Sequence, residues 1–280
     1  MTSHLAPWMR VTLRSHRPPP SARVAALWLA GVLLVGLVAP MLGYPVGADV
    51  DPARAGLGLG HGWGLGTDHL GRDVLARLAL GTSAFVLPAL LASCVAIGIG
   101  VPIGLMRSAR PGLVADLLRL PIQAMEAVPP LVLVVLVLAV WGNTMPHLAW
   151  AAGIALAPRV QEAVYLQLQT LQRNAYVRAM RAHGVPELEL WVGHLLIGAA
   201  GPAMLRELLR GLGFVLVIEC TLSYLGGLGV QEPWPSWGNM LVFEWGRSWG
   251  AGVWAPVAAL SLTLWACATA GAGREASHDG

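Results

Sequence analysis

The chain has 280 residues, of which 56% are hydrophobic and 12% charged, with a formal net charge of +3 and a mean hydropathy of +0.63. An ordinary soluble domain is less apolar and carries about twice that charged fraction, so the composition excludes a soluble fold and predicts an integral membrane protein. Cysteine supplies no redox or metal framework: Cys94, Cys220 and Cys267 fall in apolar runs at no paired or ligand-type spacing and read as small buried hydrophobes.

An ionised side chain at the bilayer centre costs about 2.5–3.5 kcal/mol on insertion scales, so gaps between charges mark the spans. A basic tail covers residues 1–23, and the uncharged run from Arg23 to Asp49 holds a first helix over 24–43. That run exceeds a signal-peptide core of about 7–15 residues and no small-residue cleavage site follows it, so it reads as a permanent anchor. A segment over 44–81, rich in Gly, Pro and Asp, precedes a five-helix core over 82–272. Within the core, the run between Arg77 and Arg107 is the second span. The run between Glu126 and Arg159 is interrupted by "WGNTMPH" and divides into a third span ending near Val140 and a fourth starting near His147. Pro129 and Pro130 kink the third. Spans over about Leu196–Leu225 and Trp249–Ala270 follow, then a tail over 273–280. Each is long enough to cross about 30 Å of hydrocarbon. The prediction is an all-α polytopic membrane protein with six transmembrane helices.

Orientation rests on arginine, because the sequence contains no lysine. Arg10, Arg14, Arg17 and Arg23 precede the first span; Arg107, Arg110 and Arg119 lie between the second and third; Arg173, Arg178 and Arg181 lie between the fourth and fifth. The opposite segments carry Arg54, Arg72, Arg77 and Arg247, interleaved with Asp49, Asp51, Asp68, Asp73 and Glu244. The positive-inside rule therefore predicts cytoplasmic N- and C-termini and a segment over 44–81 on the outer side. The basic balance follows from topology and calls for membrane lipid, not nucleic acid.

One polar stretch stands out between the fourth and fifth spans, "RAMRAHGVPELELWVGHLL". Good helix formers lead to Gly184, which is free to take positive φ after a helix end, and Pro186 suits the first turn of a new helix. Glu187 and Glu189 sit near that helix's positive end. The result is helix, turn, short helix at the cytoplasmic surface, the shape of a docking element.

The residues Tyr176, Val177, Ala179, Arg181, Ala182, Gly184, His194 and Leu196 resemble the "EAA" loop of bacterial ABC importer permeases. Two more blocks narrow the likeness. "HGWGLGTDHLGRDVLARLALG", with Asp68, Gly71, Arg72 and Asp73, is similar to a periplasmic segment of the second permease of dipeptide, oligopeptide and nickel importers. "ECTLSYLGGLGVQEPWPSWGNML", beginning at Glu219, is similar to that family's fifth span and following loop. The resemblance implies a type I importer permease fold in the bacterial inner membrane, with a coupling loop at about 171–196. It implies Arg178, Ala179, Arg181, Ala182, Gly184 and His194 as residues that couple to an ATPase. The implied partners are a sister permease, two ATP-binding subunits that hold ATP and Mg, and an extracytoplasmic solute-binding protein. The sequence agrees on one point, since a P-loop needs a lysine that this chain does not contain. The cargo would be a peptide, nickel or another metal chelate.

The sequence also departs from the family pattern. Arg178 stands where the loop usually has Glu, Gly193 where it has Arg, Ile197 where Pro commonly follows, and Glu162 where Arg is frequent. The two reversals predict a swapped Glu162–Arg178 ion pair. Asp68, Arg72 and Asp73 predict a local salt-bridge network. His61, Asp68 and His69 form too weak a cluster to assign a metal. Glu219, an ionisable residue in an apolar span, reads equally as a lining or gate of the path and as a tether for the "PSWGNM" loop. Trp234, Trp237, Trp245 and Trp249 read as an interfacial aromatic belt. Neither alternative to transport has comparable support: Ser83 and His147 lack a catalytic context for an intramembrane enzyme, and a membrane scaffold has no use for the ordered turn at Gly184. No catalytic residue or bound cofactor is assigned.

Overall fold

A computed structural model describes residues 20–42, 50–58, 64–109, 112–172, 175–186, 190, 201–225, 228–245 and 250–271. Ten helices occur among them: α1 (Pro20–Val38), α2 (Val74–Gly81), α3 (Ser83–Ala109), α4 (Leu113–Glu126), α5 (Pro130–Trp141), α6 (Met145–Gln172), α7 (Ala175–Ala182), α8 (Gly201–Leu225), α9 (Trp237–Glu244) and α10 (Ala251–Gly271). Short 3₁₀ turns cover Ala39–Leu42 and Pro52–Arg54. The described residues contain no strand, only an isolated bridge between Thr67 and Asp73.

Among the described residues, four helical runs are long and apolar enough to cross a membrane: Pro20–Leu42, Val74–Ser108, Gly201–Leu225 and Ala251–Ala270. Leu120–Glu126 and Pro130–Trp141 make a fifth if counted together, although they meet at 90°. The expected kink at Pro129 and Pro130 is thus a full break. Pro129 caps α5 and Pro130 occupies its first turn, and two successive prolines remove the amide donors that would continue α4. The predicted fourth span corresponds to α6, which has 28 residues but carries Arg159, Gln161 and Glu162 and falls short of the apolarity of the others. The second span begins earlier than its charge gap: α2 takes Arg77 into a helical run starting at Val74, so the end of the 44–81 segment is helix.

The bundle is organised around α3 and α6, its most extensive helix pair. Their seam is made of small residues. Ala92, Ala96, Gly100 and Gly104 recur every four residues along α3, and Ala149, Gly153 and Ala157 do so along α6. A Cβ added at Gly153 would lie 2.6 Å from the Val95 Cβ, and one at Gly100 would lie 2.8 Å from the Ala157 carbonyl. Close backbone approach of this kind provides the packing energy for helices that gain nothing from burying apolar surface away from lipid. Around the seam, α1, α8 and α10 add Ala25, Leu29, Leu212, Val215 and Ala266 to one buried cluster. Trp28 Nε1 ties α1 to α10 by donating to Thr263 Oγ1 at 3.0 Å.

Cross-helix contacts fix chain direction. Gln172 Nε2 donates to Ser108 Oγ at 2.7 Å at one end of the α3–α6 pair. At the other, Asn143 Nδ2 donates to the Gly229 carbonyl beyond α8 at 2.8 Å. The pair is therefore parallel, both helices running toward the Ser108–Gln172 contact, with the α7 turn at the Ser108 end and the 228–236 loop at the Ser83 end. Of the expected aromatic belt, Trp234 and Trp245 are exposed, whereas Trp237 is 2% exposed. Trp237 is a core residue: its indole donates to the Leu78 carbonyl at 2.9 Å, and its ring lies 4.9 Å from that of Phe85. Trp249 lies outside the described residues.

Candidate functional site

The α7 turn has the form its sequence predicts. Gly184 has φ +76°. Its amide donates to the Arg181 carbonyl at 3.1 Å, and the Val185 amide donates to the Met180 carbonyl at 3.2 Å. This is a Schellman motif, in which a left-handed residue just past a helix end lets two amides satisfy its last carbonyls. The Leu190 amide then donates to the Pro186 carbonyl at 2.9 Å, opening the next turn. Val177 and Leu190 are fully buried in the main cluster, with Met180 and Val185 packed beside them. The other face, with Arg178, Ala179, Arg181, Ala182 and Gly184, is exposed. The knuckle is thus anchored by apolar side chains and presents small and cationic residues outward. No atom lies within 4 Å of a Cβ built on Gly184, so backbone conformation, not crowding, demands the glycine. His194, Glu187 and Glu189 lie outside the described residues.

The expected Glu162–Arg178 pair does not form. Arg107 Nη1 on α3 reaches Glu162 Oε2 at 3.2 Å, and the same guanidinium lies 4.2 Å over the Tyr165 ring. Glu162 therefore clamps α6 to α3, and Arg178 is left on the exposed face of α7.

At the opposite end, the predicted network forms between Asp68 and Arg72, leaves out Asp73, and extends to Arg77 and Glu232. Asp68 Oδ1 accepts from the Leu70 and Arg72 amides, both at 2.9 Å. Asp68 Oδ2 takes Arg72 Nε at 2.7 Å and Arg77 Nε at 3.4 Å. Both guanidinium groups continue to Glu232 in the 228–236 loop, with Arg72 Nη1–Oε2 at 2.6 Å and Arg77 Nη2–Oε1 at 2.8 Å. Two acids and two bases thus alternate in a strap between segments that are distant in sequence. Burial opposes the charge on Arg72, but hydrogen bonds and charges from Glu232 and Asp68 outweigh it and raise its pKa. Burial likewise pushes Glu232 up, and Arg72 with Arg77 more than reverses this, holding Glu232 below its ordinary value. Asp73 does not join the network; it caps α2 by accepting from the Leu75 amide at 2.9 Å. Gly71 turns the segment with φ +78°, and a Cβ there would lie 2.0 Å from the Asp51 carbonyl.

Glu219 has no exposed surface. It accepts from Ser223 Oγ at 2.5 Å and from the Cys220 thiol at 3.5 Å, and Ser236 also bonds to it. Ser223 in turn accepts from the Val230 amide at 2.9 Å. Ser236 starts α9 in a reciprocal capping box with Asn239, whose Nδ2 holds the Trp234 carbonyl at 2.8 Å. This is the geometry of a tether for the loop, with no surface open to a path. The S-x-x-N spacing was a readable helix-start signal, whereas Arg77 and Glu232 as partners had no local signal.

Asp68, His69 and Glu244 place potential metal donors within 4.8 Å of one another. Asp68 is already bound by two guanidinium groups, and Glu244 Oε1 accepts both the His69 amide at 2.9 Å and its Nδ1 at 2.6 Å. A cation would face Arg72 and Arg77 across the shared carboxylate, so this donor set suits a salt-bridge cluster and not a metal.

Residues 96–272, which take in the second half of α3 and every helix from α4 to α10, match the family described as "binding-protein-dependent transport system inner membrane component". The chain belongs to that family. This inner membrane component is 34% identical over 178 residues to the peptide transport system permease protein SapC of Escherichia coli, covering 63% of this chain and 59% of SapC. It is 28% identical over 193 residues to the glutathione transport system permease protein GsiD of Pectobacterium atrosepticum, covering 69% and 63%. It is 24% identical over 237 residues to the dipeptide transport system permease protein DppC of Alkalihalophilus pseudofirmus, covering 85% and 77%. The matched part thus spans less than two thirds of the length of SapC and GsiD.

Proposed function

We propose that the chain is a permease subunit of an ATP-driven importer that receives short peptides from a solute-binding protein and forms the membrane path with a sister permease. The observation that carries this reading is the knuckle at Gly184: an internally anchored turn whose exposed face carries Arg178, Ala179, Arg181 and Ala182. An element built this way transmits displacement. Its buried side moves with α6 and the main cluster, and small residues on the other side admit close docking of an ATPase. The peptide assignment is supported by the names of the relatives. Six crossings follow if α4 with α5 counts as one and α6 as another. Residues 20 and 271 then share the knuckle side, which is cytoplasmic, while the strap lies on the outer side, where a binding protein delivers cargo. ATP and Mg belong to two partner chains.

Co-expression with the ATPase, sister-permease and binding-protein chains tests this. Ala182→Trp is expected to lower peptide uptake about tenfold or more and to release the ATPase during purification, since a bulky side chain blocks a well-packed docking centre. Uptake at the wild-type rate with Ala182→Trp would remove the coupling role.

A further inference from the structure

Arg159 stands midway along α6, with an exposed side chain and its guanidinium carbon 5.5 Å from the centre of the Phe214 ring on α8. It lies about one helical turn from Glu162, which Arg107 already holds. Among the described residues no carboxylate comes within ion-pair distance of Arg159. An ionised side chain within a crossing faces a water-filled cavity or a protein partner, not lipid. The α8 side of this seam has a similar character: Arg210, Phe214, Val217 and Thr221 share one face at helical spacing and are exposed or half-buried. Arg210 pairs with Glu207, so the uncompensated charge of the seam is that of Arg159. Toward the strap, the seam passes the apolar side chains of Leu148, Ile218 and Leu222. It then reaches a cavity of about 380 Å³ bordered by Asn143, Gln231 and Glu232.

We propose that the α6–α8 seam faces the translocation path and that Arg159 is a contact on it for the carboxylate of the passing cargo. This rests on the permease reading above and adds the chemistry of one waypoint. A guanidinium offers a planar pair of N–H donors that matches a carboxylate. Phe214 supports its face through the ring quadrupole, which leaves the N–H edge for the cargo. One cation without a surrounding cage holds a carboxylate long enough to desolvate it and still releases it, as transport requires.

The test uses the whole transporter in proteoliposomes, supplied with binding protein preloaded with a dipeptide or with the same dipeptide amidated at its C-terminus. Uptake per loaded binding protein and ATP hydrolysis are both read. The wild type is expected to move the free acid about tenfold faster than the amide, the size of one charge-assisted hydrogen bond. Arg159→Gln is expected to bring the free acid down to the amide rate, and Arg159→Lys to keep most of the difference, with stimulated ATP hydrolysis unchanged in both. Arg159→Gln retaining the wild-type preference would overturn the proposal while leaving the permease reading intact. Should Arg159→Gln fail to assemble, Arg159→Cys in a Cys94→Ser background is treated with a membrane-impermeant anionic thiol reagent during turnover. Modification supports a path-facing position, and an unmodified thiol overturns it. A wild type that imports neither dipeptide nor amide overturns the peptide reading, and the carboxylate contact with it.

Discussion

Asp68 is the residue on which the strap turns, because its two oxygens hold two backbone amides and two guanidinium groups while it is 3% exposed. Removing one partner from a buried ionic cluster strands the others. Asp68→Asn is therefore expected to destabilise the folded chain by about 3–5 kcal/mol, read as a lowered midpoint of thermal unfolding in detergent. Asp73→Ala, which removes only the cap of α2, is expected to cost about 1 kcal/mol; equal losses would show that the network carries no special weight. Glu232 adds a pH dependence. Its folded-state pKa lies below the ordinary glutamate value of 4.5, so folding favours the ionised form. Its contribution is fully present above that value and is lost as pH falls from there through the lower folded pKa. Unfolding followed from neutral to acid pH is expected to show a steeper acid-side loss in the wild type than in Glu232→Gln, where the ionisation is gone at every pH. Parallel curves would mean that the strap does not depend on this charge.

At the scale of elements, two glycine-dependent structures make opposite demands. Gly153 is needed for space: its α6 backbone meets Val95 and Ala92 of α3 so closely that even a methyl group overlaps them. Gly153→Leu is expected to separate the pair and to cost at least the roughly 1–3 kcal/mol of ordinary overpacking. Gly98→Ala on α3, with no atom within 4 Å, provides the control and is expected to be neutral or slightly stabilising. Thermal unfolding of the two variants separates seam packing from a general intolerance of helix substitutions. Gly184 is needed for conformation instead. Gly184→Ala is expected to cost about 1–2 kcal/mol through φ alone and to raise amide exchange at Val185, whose N–H closes the Schellman turn, while the α3–α6 seam keeps its protection. The knuckle was legible from sequence because Gly and Pro occupy fixed places in helix-end chemistry. The small-residue seam was equally legible as a four-residue repeat, yet its residues count simply as apolar when only charge gaps are read.

For the whole molecule, the spans were legible wherever charge marked their ends, and misread wherever a charge entered a helix. Arg77 closed the expected second span although it lies inside the run from Val74 to Ser108, its charge matched by Asp68 and Glu232. Arg206, Glu207 and Arg210 also sit within α8, inside the span expected there, with Arg210 on Glu207. The Glu162–Arg178 expectation failed for a related reason: a swap of residue types identifies candidates for pairing, and only the parallel register of α3 and α6 brings Arg107 to Glu162. That same register carries a prediction about sidedness. Starting from the Ser108–Gln172 contact, α7 and Gly184 follow on one side, while the Asn143–Gly229 contact and the strap lie on the other. Cysteine labelling in intact and permeabilised cells, in a Cys94→Ser background, reads this directly. His183→Cys is expected to react with an impermeant thiol reagent only after permeabilisation, and Trp234→Cys, exposed beside Glu232, in intact cells. Both sites reacting from the same side would break the placement of knuckle and strap at opposite ends of the bundle, on which coupling between them depends. A full exchange of the two sides would leave the bundle standing but put the knuckle out of reach of a cytoplasmic ATPase, and would overturn the coupling role.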